Sequence, residues 1–201
     1  MNSQPTLTTE RLLLRPFCLA DAPGVQRLAG DYEIAATTLG IPHPYEDGVA
    51  EAWIGTHREG YERGELASFA VVLARNVRGE SAAAEMAAAE RALLGSISLH
   101  IRQQHARAEV GWWIGVPYWN QGYCTEAARA LLHYGFETLG LNRIQGRHLA
   151  RNPASGRVMI KIGMRYEGTM RQAVCKWGVF EDVKLYAILT NEYAPAPPDD
   201  R

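Results

Sequence analysis

No stretch of the 201 residues reaches about 18 consecutive apolar side chains, so the sequence offers no helix able to cross a bilayer. The opening, Met1 to Arg15, has no signal-like apolar core, and the expected location is cytoplasmic. Only three cysteines are present, Cys18, Cys124 and Cys175, odd in number and far apart. With no CxxC pair and no Cys/His cluster, neither a disulfide framework nor a zinc site is indicated, and no metal is expected. Free thiols suit a reducing compartment. The net charge of −1 gives no bulk attraction to nucleic acid or to an anionic membrane surface, so neither is expected as a partner. No internal repeat is visible. What remains is a chain that is 47% hydrophobic and 21% charged, enough apolar material for one globular domain with a sizeable core.

The stretch from Arg107 to Gly140 organises the rest. Ala108, Val110, Trp112 and Ile114 alternate with Glu109, Gly111, Trp113 and Gly115, the period of a strand, and Pro117 ends it. From Thr125 the period becomes helical, with Ala128, Leu131, Leu132, Gly135 and Leu139 in one stripe and Gly140 at its end. Between the two elements lies Trp119-Asn120-Gln121-Gly122-Tyr123-Cys124-Thr125. A loop feeding a helix N-terminus presents unpartnered N–H groups and the positive end of the dipole, so this one reads either as a site for phosphate or as an ordinary strand-to-helix turn with a glycine. It carries no Lys and is no Walker-type loop.

Before this stretch, a first strand is expected over Arg11–Pro16, with residues 1–10 frayed until pairing begins. A short helix follows, capped by Asp21. Residues 30–45 read as loop, and a helix from Gly48 to about Arg63 is capped by Asp47. Tyr32, His43, Tyr45, Glu46 and Trp53 either wall an acceptor pocket or pack a helix pair. Strands are expected over Leu66–Ala74 and Leu94–Ile101, with residues 76–92 an Ala- and Glu-rich hairpin tip between them. His100 and His105 have no carboxylate at motif spacing and read as structural. After the central helix come a strand over Arg143–Ala150, a helix starting at Asn152-Pro153, and strands over Arg165–Ala173 and Val183–Asn191 joined through Trp177-Gly178. One domain over 1–192 and a Pro-rich disordered tail over 193–201 complete the expectation.

Four blocks carry a resemblance. They are Thr9-Glu10-Arg11-Leu12-Leu13-Leu14-Arg15, Gln121-Gly122-Tyr123-Cys124-Thr125-Glu126-Ala127, Asn152 with Ser155 and Lys161-Ile162-Gly163-Met164, and Asp182-Val183-Lys184-Leu185-Tyr186-Ala187. In this order they resemble the RimJ/RimL-like branch of the GCN5-related N-acetyltransferase (GNAT) superfamily. The resemblance implies an α/β (α+β) fold: a mixed, mostly antiparallel central sheet with flanking helices and a splayed central strand pair. It implies acetyl-CoA as donor co-substrate and a primary amine as acceptor. The pyrophosphate would lie on Gln121, Gly122, Tyr123, Cys124 and Thr125, and the pantetheine arm beside Trp113, Ile114 and Val116, with Asn152 holding the arm or the loop. Two features, the loop motif and one helix position, depart from the wider family. Trp119 and Cys124 stand at the ends of the loop motif, and Met159 stands where many members have a proton-donating Tyr. In this branch the Ser three residues after the Asn is the substitute donor, here Ser155.

The reaction needs a neutral amine, a polarised thioester carbonyl and a proton for the leaving thiolate. Glu109, on the cofactor-lining strand, is the candidate base, acting through water. At pH 7, neutralising an α-amine of pKa ~7.8 costs about 1.1 kcal/mol and a lysine of pKa ~10.4 about 4.6 kcal/mol, at ~1.36 kcal/mol per unit. This favours a protein N-terminal or small primary amine. Antibiotic, polyamine or sugar amines remain open as acceptors, as does a non-catalytic acyl-CoA-binding sensor. The acceptor wall would come from residues 30–60 and the last two strands, with Trp177, Phe180 and Tyr186, and Asp31, Glu33, Glu46 and Asp47 would either suit a cationic acceptor or form a solvated rim. Exposed final strands would be the place for a homodimer to pair.

Overall fold

In the computed structural model, which describes residues 3–74 and 93–194, the chain opens with two short strands, β1 (Leu7–Thr8) and β2 (Leu12–Pro16). Leu12 and Leu14 are wholly buried while their neighbours Leu13 and Arg15 are half-buried, the alternation of a strand with one face on a core. Leu7 already pairs with Leu14, so chain pairing begins before Arg11. The hairpin tip expected at 76–92 and residues 195–201 of the tail lie outside the described residues.

Three helices follow, α1 (Ala22–Ala29), α2 (Tyr32–Thr37) and α3 (Val49–Glu62). Asp21 occupies the cap position of α1 but its side chain makes no cap bond. Its carboxylate is buried and held by the Arg15 guanidinium at 2.6 and 2.8 Å and by the Cys18 N–H at 2.9 Å. Removing one partner of such a buried pair costs about 3–5 kcal/mol. The segment read as loop contains α2, where Asp31 accepts from the Glu33 N–H at 2.9 Å and Ile34, Ala35 and Ala36 are buried. Its six residues are too few to show a helical period. Asp47 does not cap α3. Gly48, at φ 84°, takes the cap, and Asp47 accepts from Gln26 at 2.7 Å.

The rest of the sheet is β3 (Leu66–Leu73), β4 (Leu93–Arg102), β5 (Arg107–Ile114), β6 (Arg143–Leu149), β7 (Arg165–Lys176) and β8 (Val179–Leu189). Helix α4 (Tyr123–His133) connects β5 to β6, and α5 (Pro153–Lys161) connects β6 to β7. The last two strands are longer than expected. Lys176 pairs with Val179 across Trp177 and Gly178, both at positive φ, which makes the tight turn.

The eight strands form one sheet in the order β1-β2-β3-β4-β5-β6-β8-β7. Every neighbouring pair is antiparallel except β5–β6. The fold is therefore mixed α/β with a mostly antiparallel sheet, as expected. β3 is buried along both faces, because a core lies on each side. On one side Phe69, Leu99, Val110 and Ile144 meet Leu131 and Leu132 of α4 and Met159 of α5. On the other, Ala70, Val72 and Trp113 meet Val25 and Leu28 of α1 and Ile54 of α3. Among the described residues no helix is long and apolar enough to cross a membrane, and no group of His, Cys, Asp or Glu is placed to hold a metal.

Candidate active site

The parallel pair β5–β6 stays in register only from Arg107↔Arg143 to Val110↔Gly146. Beyond that, β5 runs on to Ile114 and β6 to Leu149 without pairing to each other. Gly146 sits where the strands part. A Cβ there would lie 2.8 Å from the Met159 Cε and 2.9 Å from Val110, so glycine lets Met159 fill the base of the opening. Above it a cleft of about 570 Å³ opens between the strands, α2, the loop before α4 and the first turns of α4 and α5.

That loop is shaped by its main chain. Asn120 and Gly122 take positive φ of 60° and 83°. The Trp119 indole N–H donates to the Ile114 carbonyl at 2.5 Å, tying the loop to the end of β5. No side chain caps α4. Its first intrahelical bond is Glu126 N–H to Gly122 O at 3.1 Å, so the N–H groups of Tyr123, Cys124 and Thr125 have no partner within the helix. They stand at the positive end of the dipole, beside Arg157 and Lys161 of α5. A diphosphate fits this arrangement of donors and cations. Cys124 beside it is half-buried and lines the cleft. Burial pushes its thiol up to about 12, so it stays protonated.

At the start of α5, Asn152 accepts from the Ser155 N–H at 3.3 Å and its amide donates to the Thr37 carbonyl at 3.4 Å. The Ser155 hydroxyl accepts the Trp112 indole N–H at 3.2 Å. Its own proton is left free, and the residue lines the cleft. Glu109 also lines the cleft, across the sheet from Ser155. Arg147 donates to its Oε1 at 2.7 and 2.8 Å and Gln145 to its Oε2 at 3.0 Å. Of the residues expected to bind the cofactor, Trp113, Ile114, Gly122, Tyr123, Cys124, Thr125 and Asn152 line the cleft together. Val116 and Gln121 are not among the lining residues. Val116 packs on the core beside α1, and the Gln121 amide donates to the Pro117 carbonyl at 3.1 Å.

Residues 11–165 match the family described as Acetyltransferase (GNAT) domain. The chain is 32% identical to the uncharacterized N-acetyltransferase YnaD of Bacillus subtilis over 93% of its own length and 98% of the relative's. It is also 32% identical to the ribosomal-protein-serine acetyltransferase of Escherichia coli, over 49% of this chain and 55% of that protein. A GNAT-family acetyltransferase from Bacillus anthracis superposes with a TM-score of 0.76 at 30% identity, covering 94% of this chain and 100% of that one. This chain belongs to the GNAT acetyltransferase family. It is an acetyl-CoA-dependent N-acetyltransferase.

Several groups in the acetyltransferase's cleft carry no motif. Trp112 reads in the sequence as one more core-facing position of a strand. Arg147 and His148 read as alternating strand residues, and Arg157 carries no sequence signal. His148 donates Nδ1–H to the Leu149 carbonyl at 2.8 Å and stacks on Tyr186 with ring centroids 5.6 Å apart. Among the described residues its Nε2 has no partner, and burial pushes the imidazole pKa down, which favours the neutral ring. Helix α2, unseen in the sequence, supplies Glu33, Ile34 and Thr37 to the far wall, and the two residues after it, Thr38 and Leu39, continue that wall. The front aromatics divide. Trp53 packs on Phe17 and His57 in the core, whereas Tyr32 stacks on Trp177 of the β7–β8 turn at 5.5 Å and joins His43 at 5.4 Å. Asp31 and Asp47 are engaged as cap and tie, which leaves Glu33 as the front acidic group that lines the cleft.

Proposed function

We propose that this acetyltransferase acts in the cytoplasm on the α-amine of a protein N-terminus. The observation that carries this is the state of Glu109. Three of its bonding positions already receive Arg147 and Gln145. A carboxylate so occupied has room for one water-bridged donor. Such a site suits an acceptor with little protonation to lose, and an α-amine at pH 7 loses its proton for about 1.1 kcal/mol against about 4.6 for lysine. The name of the relative from Escherichia coli, an acetyltransferase of ribosomal-protein serine, points the same way.

The proposed path uses residues of the splayed pair and of the two helix starts. The diphosphate of acetyl-CoA rests on the N–H groups of Tyr123 to Thr125, and the pantetheine arm runs along β5 past Trp113 and Ile114. Past Val110, every second residue of β5 turns its main-chain groups towards the gap instead of a β6 partner, so N–H groups are free to polarise the thioester carbonyl. The acceptor ammonium first loses a proton through water bridged to Glu109. The neutral amine nitrogen then attacks that carbon and releases its surplus proton to solvent water. The carbon–sulfur bond breaks, and the thiolate takes the Ser155 Oγ proton. Met159, packed at the base of the cleft, has no proton to give.

The test is acetyl-CoA binding by calorimetry, followed by thiol release against Ser- and Ala-initiated peptides, Lys side chains, polyamines and aminoglycosides. Turnover on the peptides with free N-termini is the expected result. Binding without turnover on any amine would replace this reading with an acyl-CoA sensor, and preference for polyamines or aminoglycosides would move the acceptor to small molecules. Ser155→Ala is expected to lower kcat by about a hundredfold, the lower range for a general acid.

A further inference from the structure

Trp112 stands on β5 just past the last paired position. Continuing the register beyond Val110↔Gly146 would put Trp112 opposite His148, but the strands have parted there. The indole bridges the opening instead, from β5 to the first turn of α5, and donates to Ser155 Oγ at 3.2 Å. From these contacts we propose that Trp112 is a positioning residue for the leaving-group proton: its indole N–H fixes the rotation of the Ser155 hydroxyl and carries part of the charge left on that oxygen. The proposal rests on the reading of Ser155 as the thiolate's proton donor.

The chemistry follows from the donor inventory. An indole has one N–H and accepts nothing, while a hydroxyl has one proton and two lone pairs. With Trp112 on one lone pair, the hydroxyl proton cannot turn towards the indole and is available to the cleft. The main chain of Ser155 is held separately, by its N–H to Asn152. Behind it, the His148 ring edge packs on Gly156, where a Cβ would lie 2.7 Å from Nε2. The turn is thus held from both sides. When the O–H bond breaks and the S–H bond forms, the electron pair stays on Ser155 Oγ. That alkoxide faces the indole N–H and the positive end of α5, both of which lower its energy. Water then returns a proton to it, balancing the one released by the amine. A Phe at this position would fill most of the volume and supply no donor, so packing alone does not account for the indole.

The experiment is a double-mutant cycle of Trp112→Phe and Ser155→Ala, using acetyl-CoA and the best acceptor from the panel above. Trp112→Phe is expected to lower kcat roughly tenfold to a hundredfold, the range of one bond to a developing charge, with acetyl-CoA affinity unchanged. On the Ser155→Ala background it is expected to add nothing. With an aryl thioacetate, whose thiolate leaves without protonation, the loss is expected to shrink. Equal kcat in Trp112→Phe, or a loss that adds in full to that of Ser155→Ala, would overturn the proposal. An unaltered kcat in Ser155→Ala alone would instead overturn the serine-donor reading beneath it. If Trp112→Phe does not fold, a benzothienylalanine at the position keeps the ring shape and removes only the N–H, with the same outcomes deciding.

Discussion

Arg11 and Glu126 join the opening segment to the first turn of α4. The guanidinium meets Glu126 Oε2 at 2.7 Å, and the Arg11 main-chain N–H meets Oε1 at 2.8 Å. Thr9 adds a hydroxyl bond to Oε1 at 2.6 Å, and Arg11 Nη1 reaches the Gln121 carbonyl at 3.0 Å. The loop before α4 is therefore fastened from outside by the segment before β2. Partial burial pushes the Glu126 carboxyl up, but the bonds from Thr9 and Arg11 outweigh it and hold the carboxyl below its ordinary range. Its contribution to stability is then full above the ordinary carboxylate range and is lost as pH falls through it. Arg11→Ala is expected to cost about 1 kcal/mol, since the ion pair is partly exposed. It should weaken acetyl-CoA binding several-fold, read by thermal melts and calorimetry.

Gly156 lies in a tight spot behind the turn that carries Ser155. Its neighbour is the His148 Nε2, and the ring is fixed by the Leu149 carbonyl and the Tyr186 stack, so it has no easy retreat. Gly156→Ala is expected to destabilise the protein by about 1–3 kcal/mol. Because the displaced residue adjoins Ser155, kcat should fall more than acetyl-CoA affinity does. A variant with normal melting temperature and normal kcat would show that the ring moves freely.

His57 lies buried on α3 between Phe17 and Trp53, with neither ring nitrogen bonded among the described residues. Burial, with a smaller push from His100, lowers its pKa to about 4. The unfolded chain binds a proton near pH 6.5, the folded chain only near 4. The stability that neutral His57 provides is therefore complete above pH 6.5 and is lost as pH falls from there to about 4. His57→Leu is expected to flatten the fall of the unfolding free energy across this window, measured by urea titrations at pH 7, 5.5 and 4.5. An unchanged slope would place the acid sensitivity elsewhere.

How much of this was legible in the sequence follows from the range of each interaction. Strands such as β3 and β4, and the switch from β5 to α4, announce themselves through period and through the breakers Pro117 and Gly122, all local signals. The short α2 did not, because two turns held by an Asx cap and three buried apolar residues carry no period of their own. The sequence places Asp21 and Asp47 at cap positions because capping is the local use of an aspartate, and side chains outside the helices they precede, Arg15 and Gln26, hold them instead. The same limit hid Trp112: its alternation places it on a core face, while its indole N–H meets a serine 43 positions away. The splay itself comes from β6, whose pairing with β5 stops at Gly146, a distance relation that no window of sequence contains.

Glu109 gives the sharpest test of how the acceptor loses its proton. It faces Arg147 and Gln145 on β6 and lies directly opposite His100 on β4. If it draws the amine's proton through water, its help is needed only while the amine is protonated. With an α-amine of pKa ~7.8, that need fades above about pH 8.5. Glu109→Gln is therefore expected to lower kcat/KM about tenfold near pH 6.5 and to converge on the wild-type value at pH 9. Against a lysine acceptor of pKa ~10.4 the two curves should stay apart across the same range. A purely structural role predicts something else, because the unpaired Arg147 would disturb β6 at every pH and for every amine. A loss of equal size at pH 6.5 and pH 9 would thus assign Glu109 to holding Arg147 and Gln145 in place, and the amine would reach the thioester already neutral from solution.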